Sequence, residues 1–427
     1  MEGNDRVFAK CAWRLIPFMV LLYVVNFLDR VNVGFAALTM NRDLGFSPSV
    51  FGFGAGLFFV GYFLCQVPAN LILQKLGARR WIFCILAVWG AISVSNAAVT
   101  GPTSFYGLRF LLGVAEAGFF PGMIFYLTLW FPQAYRARFT AGFMTAVPLA
   151  NIIGAPVSSL ILGMNGTSQL AGWQWLFVLE GVPALILAFA VLRFLPDGPK
   201  SALWLSAAEK ETIASRLAVE DSKTHHELGR ALRDPRVLAL CPVGMGLSFG
   251  NYGVGLWLPQ IVQGMGFSNL ATGFVVAVPS VAGMAAMILW GRSSDRRGER
   301  AKHVAAAALL AAAALGIASV SASNFAVLIA LTFATIGIYA ALPTFYSVPS
   351  MFLSGTAAAG GIALVNTFGT GLGGFLGPTI MGLLKQQTGG YAAGMAALAA
   401  GLALSASILL VMGSRPKTFP AAVQTLP

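Results

Sequence analysis

Residues 291–300 read GRSSDRRGER, and residues 70–79 read NLILQKLGAR. Laid over one another, Gly291, Asp295, Arg296, Gly298 and Arg300 fall on Asn70, Gln74, Lys75, Gly77 and Arg79, each pair 221 positions apart. A short turn between two long helices needs Gly to reverse the chain and Lys or Arg to hold it at a polar surface. An acid or amide there can cap or pair with a neighbouring helix end. One such turn is a generic basic loop. Two in register mark a chain built as two repeated halves.

Each turn closes a long apolar stretch, and such stretches recur along the whole chain. Hydrophobic residues fill 57% of the 427 positions and charged residues 10%, against about 25% charged in soluble domains. A bilayer core of about 30 Å is crossed by some 20 apolar residues. Counting stretches and breaks predicts twelve spans, near 13–37, 48–73, 81–100, 103–129, 139–163, 173–195, 237–262, 270–291, 302–321, 325–352, 357–384 and 390–412. The fold class is therefore an all-α polytopic membrane protein. The expected units are a six-helix half over 1–195, a linker over 196–236 and a second six-helix half with its tail over 237–427.

The first stretch, Trp13 to Ala37, is too long for a cleaved signal and carries Asp29 and Arg30, so a retained span is expected. Cys11, Cys65, Cys84 and Cys241 form no CxxC pair, which points to neither a disulfide framework nor a metal site. A net charge of +12 raises nucleic-acid binding, but the basic residues are spread between spans. Alternate connections hold most of them: Arg6, Lys10 and Arg14; Lys75, Arg79 and Arg80; Arg136 and Arg138; the linker; Arg292 to Lys302; and Arg415 with Lys417. The positive-inside rule then places both termini and the linker in the cytoplasm. A bacterial inner membrane and a monomeric state are expected. Within the linker, LSAAEKETIASRLAVED is compatible with a helix, and His225 with His226 reads as solvated loop. Gly369, Gly371 and Gly374 satisfy GxGxxG, but no strand precedes them, so a helix-packing surface is expected instead of a nucleotide site. No GxxxxGK[ST] loop occurs, which leaves ATP-driven transport by this chain unsupported.

Ionised groups inside a bilayer cost several kcal/mol, so they face the protein interior and mark function. Asp29, Arg30, Arg109, Glu116 and Glu180 lie in apolar stretches, all in the first half. Counting about 1.5 Å per residue places Asp29, Arg30 and Arg109 in the outer half of the membrane and Glu116 about 10 Å deeper. Asp29 and Arg30 are about 100° apart around their helix, so they address different partners. The expected arrangement pairs Asp29 with Arg109 and leaves Arg30 to offer its planar fork to an anion, but the two arginines can exchange these roles, so both are candidate substrate contacts. Glu116, among Gly113, Gly118 and apolar neighbours, is expected to gain and lose a proton during transport. Tyr62, Asn251, Tyr346 and Asn366 are candidate neutral contacts for a substrate, with Tyr252 a further polar group beside Asn251. Glu180 reads as structural. No convergent catalytic group stands in the membrane region, which argues against an enzyme, and the linker is short for a sensor's soluble domain.

Four stretches carry a resemblance: YVVNFLDRVNVGFA (23–36), PANLILQKLGARRWI (68–82), GLRFLLGVAEAGFFPG with WFPQAYRAR (107–122 and 130–138), and GTAAAGGIALVNTFGTGLGGFLGP (355–378). Together they resemble the anion:cation symporter family of the major facilitator superfamily. The resemblance implies two six-helix halves rocking about a central site, with no cofactor beyond a proton gradient. Members of that family move organic carboxylates, among them tartrate, phthalate, hydroxyphenylacetate and sugar acids, commonly with protons. Asp29 and Glu116 match the family's membrane-embedded acids, and Tyr62 matches an aromatic hydroxyl of its sugar-acid carriers. The turns holding Lys75, Gly77 and Arg79 and Asp295, Arg296, Gly298 and Arg300 are implied conformational gates. An uncoupled facilitator or an exporter on the same fold is the alternative.

Overall fold

The computed structural model describes residues 2–132, 135, 145–221, 233–353 and 355–413. Arg136, Arg138, His225, His226, Arg415 and Lys417, named above, lie outside these residues. Among them the chain is helical, without strands, and its long apolar helices occur where the twelve spans are expected. The sixth span ends at Phe194 and the seventh starts at Pro235, with the helix Ala207–Asp221 between them.

Four spans differ informatively from the apolar count. The first runs over Glu2–Asp43, well beyond 13–37, because Arg42 and Asp43 continue the helix past the apolar stretch. On its other side Lys10 donates to Glu209 at 2.8 Å, fastening the first span to the linker helix. The fourth span breaks after Glu116: Pro102–Glu116 ends, Ala117 and Gly118 form a turn, and Phe119–Thr128 resumes. The fifth is described over Ala146–Leu162. The eleventh comprises Gly355–Phe368, a π-helical turn Gly369–Gly373, and Gly374–Thr388. Glycines there permit the wide turn, and π-turns concentrate at functional sites. They also allow close packing, since a Cβ built on Gly369 would lie 3.0 Å from the backbone of Gly244 in the seventh span.

The two repeated turns share one device. Gly77 and Gly298 close their helices with φ of 79° and 68°, a region that disfavours any residue with a Cβ. In each copy the terminal Arg then pins the turn to the end of a later span of its own half. Arg79 donates to the Leu192 carbonyl and stands 3.5 Å from Asp197. Arg300 donates to the Ser347 carbonyl at 3.2 Å and stands 3.6 Å from Asp295.

Where the halves meet, contacts run toward the face opposite the termini. Asn41 donates to Gln260 at 3.3 Å, and the Phe51 and Trp257 rings meet edge-on at 5.1 Å. Gly52 is pressed so closely on the eleventh span that an added Cβ would stand 2.4 Å from the Pro378 carbonyl oxygen. Deeper in, Thr367 donates to Gln66 at 2.6 Å across the same pair of spans. That face is shut, and the interior cavity lies below it.

Candidate functional site

Helical periodicity divides the first span into two functional faces. Tyr23, Phe27 and Arg30 follow i, i+4, i+7 and line the cavity. Asp29 turns instead to the third span, where Trp89 Nε1 and Ser93 Oγ donate to its two oxygens. Asn32, one turn on, adds an N–H bond of 3.0 Å. Asp29 is thus a buried carboxylate met by three donors.

Glu116 is fully buried at the end of its helical segment. Its Oε2 accepts from Asn26 Nδ2 at 2.8 Å and from Arg30 Nη2 at 2.9 Å, while Oε1 has no partner. The fourth span reaches this position because Gly113, one turn earlier, lies against the second span: an added Cβ would stand 1.8 Å from the Phe58 carbonyl oxygen.

This pairing corrects the expected one. Arg30 is bound to Glu116, and no hydrogen bond or ion pair joins Asp29 to Arg109 among the described residues. Arg109 is fully buried, and none of its three guanidinium nitrogens has a hydrogen-bond partner. It lies 5.1 Å from the Phe58 ring centre, and Arg30 lies 5.2 Å from the same ring, so one aromatic attracts both cations. Asp29 and Glu116 supply the negative field around Arg109. The depth count misled because the first helix continues to Asp43. Measured from that end at about 1.5 Å per residue, Arg30 lies about 20 Å in. From Pro102, Glu116 lies about 21 Å in and Arg109 about 10 Å in. Arg30 and Glu116 are therefore level near mid-membrane, and Arg109 stands a layer outward.

The cavity holds about 730 Å³ of space between atoms, its mouth included, and draws its walls from both halves. Of the six sequence-predicted substrate contacts, Arg30, Tyr62, Asn251, Tyr346 and Asn366 line it, and Arg109 does not. Arg30 is the one cation on its wall among the described residues. Asp29 and Glu116 lie behind that wall. On the opposite side Tyr346 and Thr370 both donate to Asn366 Oδ1, at 2.9 and 3.1 Å, which leaves the two N–H donors of Asn366 free of that pair. The chamber combines one guanidinium, aromatic walls and neutral donors, a set suited to an anion with an organic body.

Tyr23, Tyr339, Ser248 and Thr370 also line the cavity and were missed, while Tyr252, offered by the sequence beside Asn251, lines it too. Helical spacing offered a signal: Ser248, Asn251 and Tyr252 lie on one face of the seventh span, and Tyr339 and Tyr346 are two turns apart on the tenth. Among the described residues, no group of three His, Cys, Asp or Glu side chains could hold a metal ion.

Paired halves around a mid-membrane chamber, shut at one face, define a membrane transporter. Residues 19–378 match the sequence profile of the Major Facilitator Superfamily, and the chain belongs to that family. It is 52% identical over 412 residues to a protein from Agrobacterium vitis named "Putative tartrate transporter", covering 96% of this chain and 95% of that one. It is 41% identical over 400 residues to a "Quinolone resistance transporter" from Acinetobacter baumannii, covering 92% of each. Among solved structures, a bacterial homologue of the human lysosomal transporter Spinster, inward-facing and occupied, superposes with a TM-score of 0.77 at 17% identity. That match covers 93% of this chain and 96% of that one.

Proposed function

We propose that this chain imports an organic carboxylate together with protons by exposing its cavity alternately to the two sides of the membrane. The observation that carries the reading is the buried 2.9 Å pair between Arg30, the cavity's cation, and Glu116 behind it. A guanidinium presents one planar fork to a carboxylate. A substrate carboxylate docking on Arg30 displaces Glu116, which then stands as a buried anion without its counter-charge. Breaking such a pair costs about 3–5 kcal/mol, and a proton taken up by Glu116 removes that cost. Anion and proton therefore enter together and leave together.

Asp29 is the second proton-carrying acid, and Arg109 supports the field that both acids feel. Tyr62, Asn251, Tyr346 and Asn366 bind the remaining oxygens of the substrate. The relative named for tartrate, at 52% identity, supports a small hydroxylated carboxylate as cargo. The basic connections support cytoplasmic termini in a bacterial inner membrane, with the two Gly-and-Arg turns gating that side. The relative named for quinolone resistance supports a second reading, export of an organic anion through the same chamber.

The test uses purified protein in liposomes, an imposed pH gradient and labelled mono- and dicarboxylates. Import by proton symport predicts accumulation that follows an inward proton gradient, collapses with a protonophore, and falls in Arg30→Lys. Accumulation indifferent to the gradient refutes coupling. Accumulation driven by an opposite gradient supports export.

A further inference from the structure

The seam between the second and eleventh spans is held at two depths. Counting about 1.5 Å per residue from Pro48 places Gly52, pressed on Pro378, about 6 Å from the shut face, and Gln66 about 27 Å from it. Gln66 therefore stands closer to the side of the termini than Arg30 does. It follows the chamber-lining Tyr62 by one helical turn on the same face of the second span. There its Oε1 accepts from the Thr367 hydroxyl at 2.6 Å, which joins the two halves. Beside this bond the Phe63 and Phe368 rings meet edge-on with centres 5.7 Å apart. Gln66 is 5% exposed, so water has little access to the contact.

The Thr367 hydroxyl has one hydrogen and two acceptors. Gln66 Oε1 lies at 2.6 Å, and the Ala363 carbonyl, one turn back in the same helix, lies at 2.8 Å. A hydroxyl proton rotates to suit its partners, so when the spans part it turns to Ala363 and Thr367 keeps a bond. The amide left behind on Gln66 is neutral and is met by water entering from the opened side. The π-helical turn Gly369–Gly373 lies between Thr367 and the segment pressed on Gly52. The two contacts therefore belong to different helical segments of the eleventh span.

We infer that Gln66 and Thr367 form a catch between the halves that restrains the chamber from opening toward the termini and releases each time it opens to that side. Asn366, the residue before Thr367, lines the chamber, so the catch adjoins the wall that meets the substrate. The catch presupposes the alternating exposure proposed above and is independent of proton coupling and of the direction of transport.

Thiol labelling of the full chain in membrane vesicles tests it. A Met287→Cys reporter on the chamber wall, in a background lacking the four native cysteines, is exposed to an impermeant maleimide from the side of the termini. Thr367→Val removes the donor and should raise the labelling rate about 2- to 10-fold, as should Gln66→Leu. Thr367→Ser keeps the hydroxyl and should label as the parent does. The two substitutions remove one and the same bond, so the double variant should label no faster than the faster single. Unchanged labelling in Thr367→Val overturns the catch, and so do single effects that multiply in the double variant. If labelling rises as expected while accumulation in the parent ignores the pH gradient, the proton-symport reading fails and the catch stands.

Discussion

Replacing Glu116 by Gln separates substrate binding from coupling. Gln keeps an oxygen where Asn26 and Arg30 now donate at 2.8 and 2.9 Å, so the local packing survives. What changes is the competition for Arg30. A hydrogen bond to a charged group contributes about 1.5–3 kcal/mol and a neutral one about 0.5–1.5, so the substituted side chain holds Arg30 about 1–2 kcal/mol less firmly. A substrate carboxylate displacing it should bind about 5- to 30-fold more tightly. The same variant has lost the acid that substrate displaces, so binding no longer draws the proton that Glu116 takes. In liposomes, counterflow exchange of labelled for unlabelled substrate should persist. Accumulation driven by a pH gradient should fall. A Glu116→Gln protein that still concentrates substrate as well as the parent refutes the reasoning, as does one that binds more weakly.

Gly52→Val places side-chain atoms where a Cβ alone would be 2.4 Å from the Pro378 carbonyl oxygen. Overpacking of about 1–3 kcal/mol should open the face opposite the termini, raising thiol labelling of an Asn41→Cys reporter about 5- to 150-fold in a background lacking the four native cysteines; unchanged labelling contradicts that gate. Asn366→Leu removes the free N–H donors across the chamber from Arg30 and should weaken substrate binding about 2- to 10-fold by calorimetry, without altering the protons carried per anion. At the polar end of the first span, the Lys10 ammonium bonded to Glu209 holds that carboxyl below the usual carboxylate range. A depressed acid stabilises above its ordinary value and loses that contribution as pH falls through its lowered one. Proteolysis of the linker should therefore quicken on acidification into and below the ordinary carboxylate range, and a Lys10→Met variant should show a weaker dependence, since the Ser206 N–H still donates to Glu209 at 2.8 Å.

Much of this architecture was legible because hydrophobic length and Gly-and-Arg turns are local signals. The 221-residue repeat exposed two halves, and both motif glycines adopt the positive φ that a chain reversal needs. Charges in apolar stretches marked the first and fourth spans, since the bilayer makes any other reading expensive. The pairing among those charges was not legible. It depends on a first helix that outruns its apolar stretch to Asp43, and on a break after Glu116 that the apolar count passes over. Phe58 was invisible for another reason: a Phe in an apolar span looks like packing until two arginines are found within 5.2 Å of its ring. Tyr339 faces the chamber from the second half, and only the meeting of the halves distinguishes it from an aromatic turned to lipid.

In the proposed cycle a substrate carboxylate takes Arg30 from Glu116, and a proton replaces the lost cation. Proton uptake on binding measures this directly: purified protein in weakly buffered solution, a pH indicator, and substrate added at matched pH. Binding should withdraw protons from solution in the parent, and Glu116→Gln should bind the same substrate with the share of that uptake due to Glu116 lost. Binding by the parent with no proton uptake, or unchanged uptake in Glu116→Gln, would contradict it.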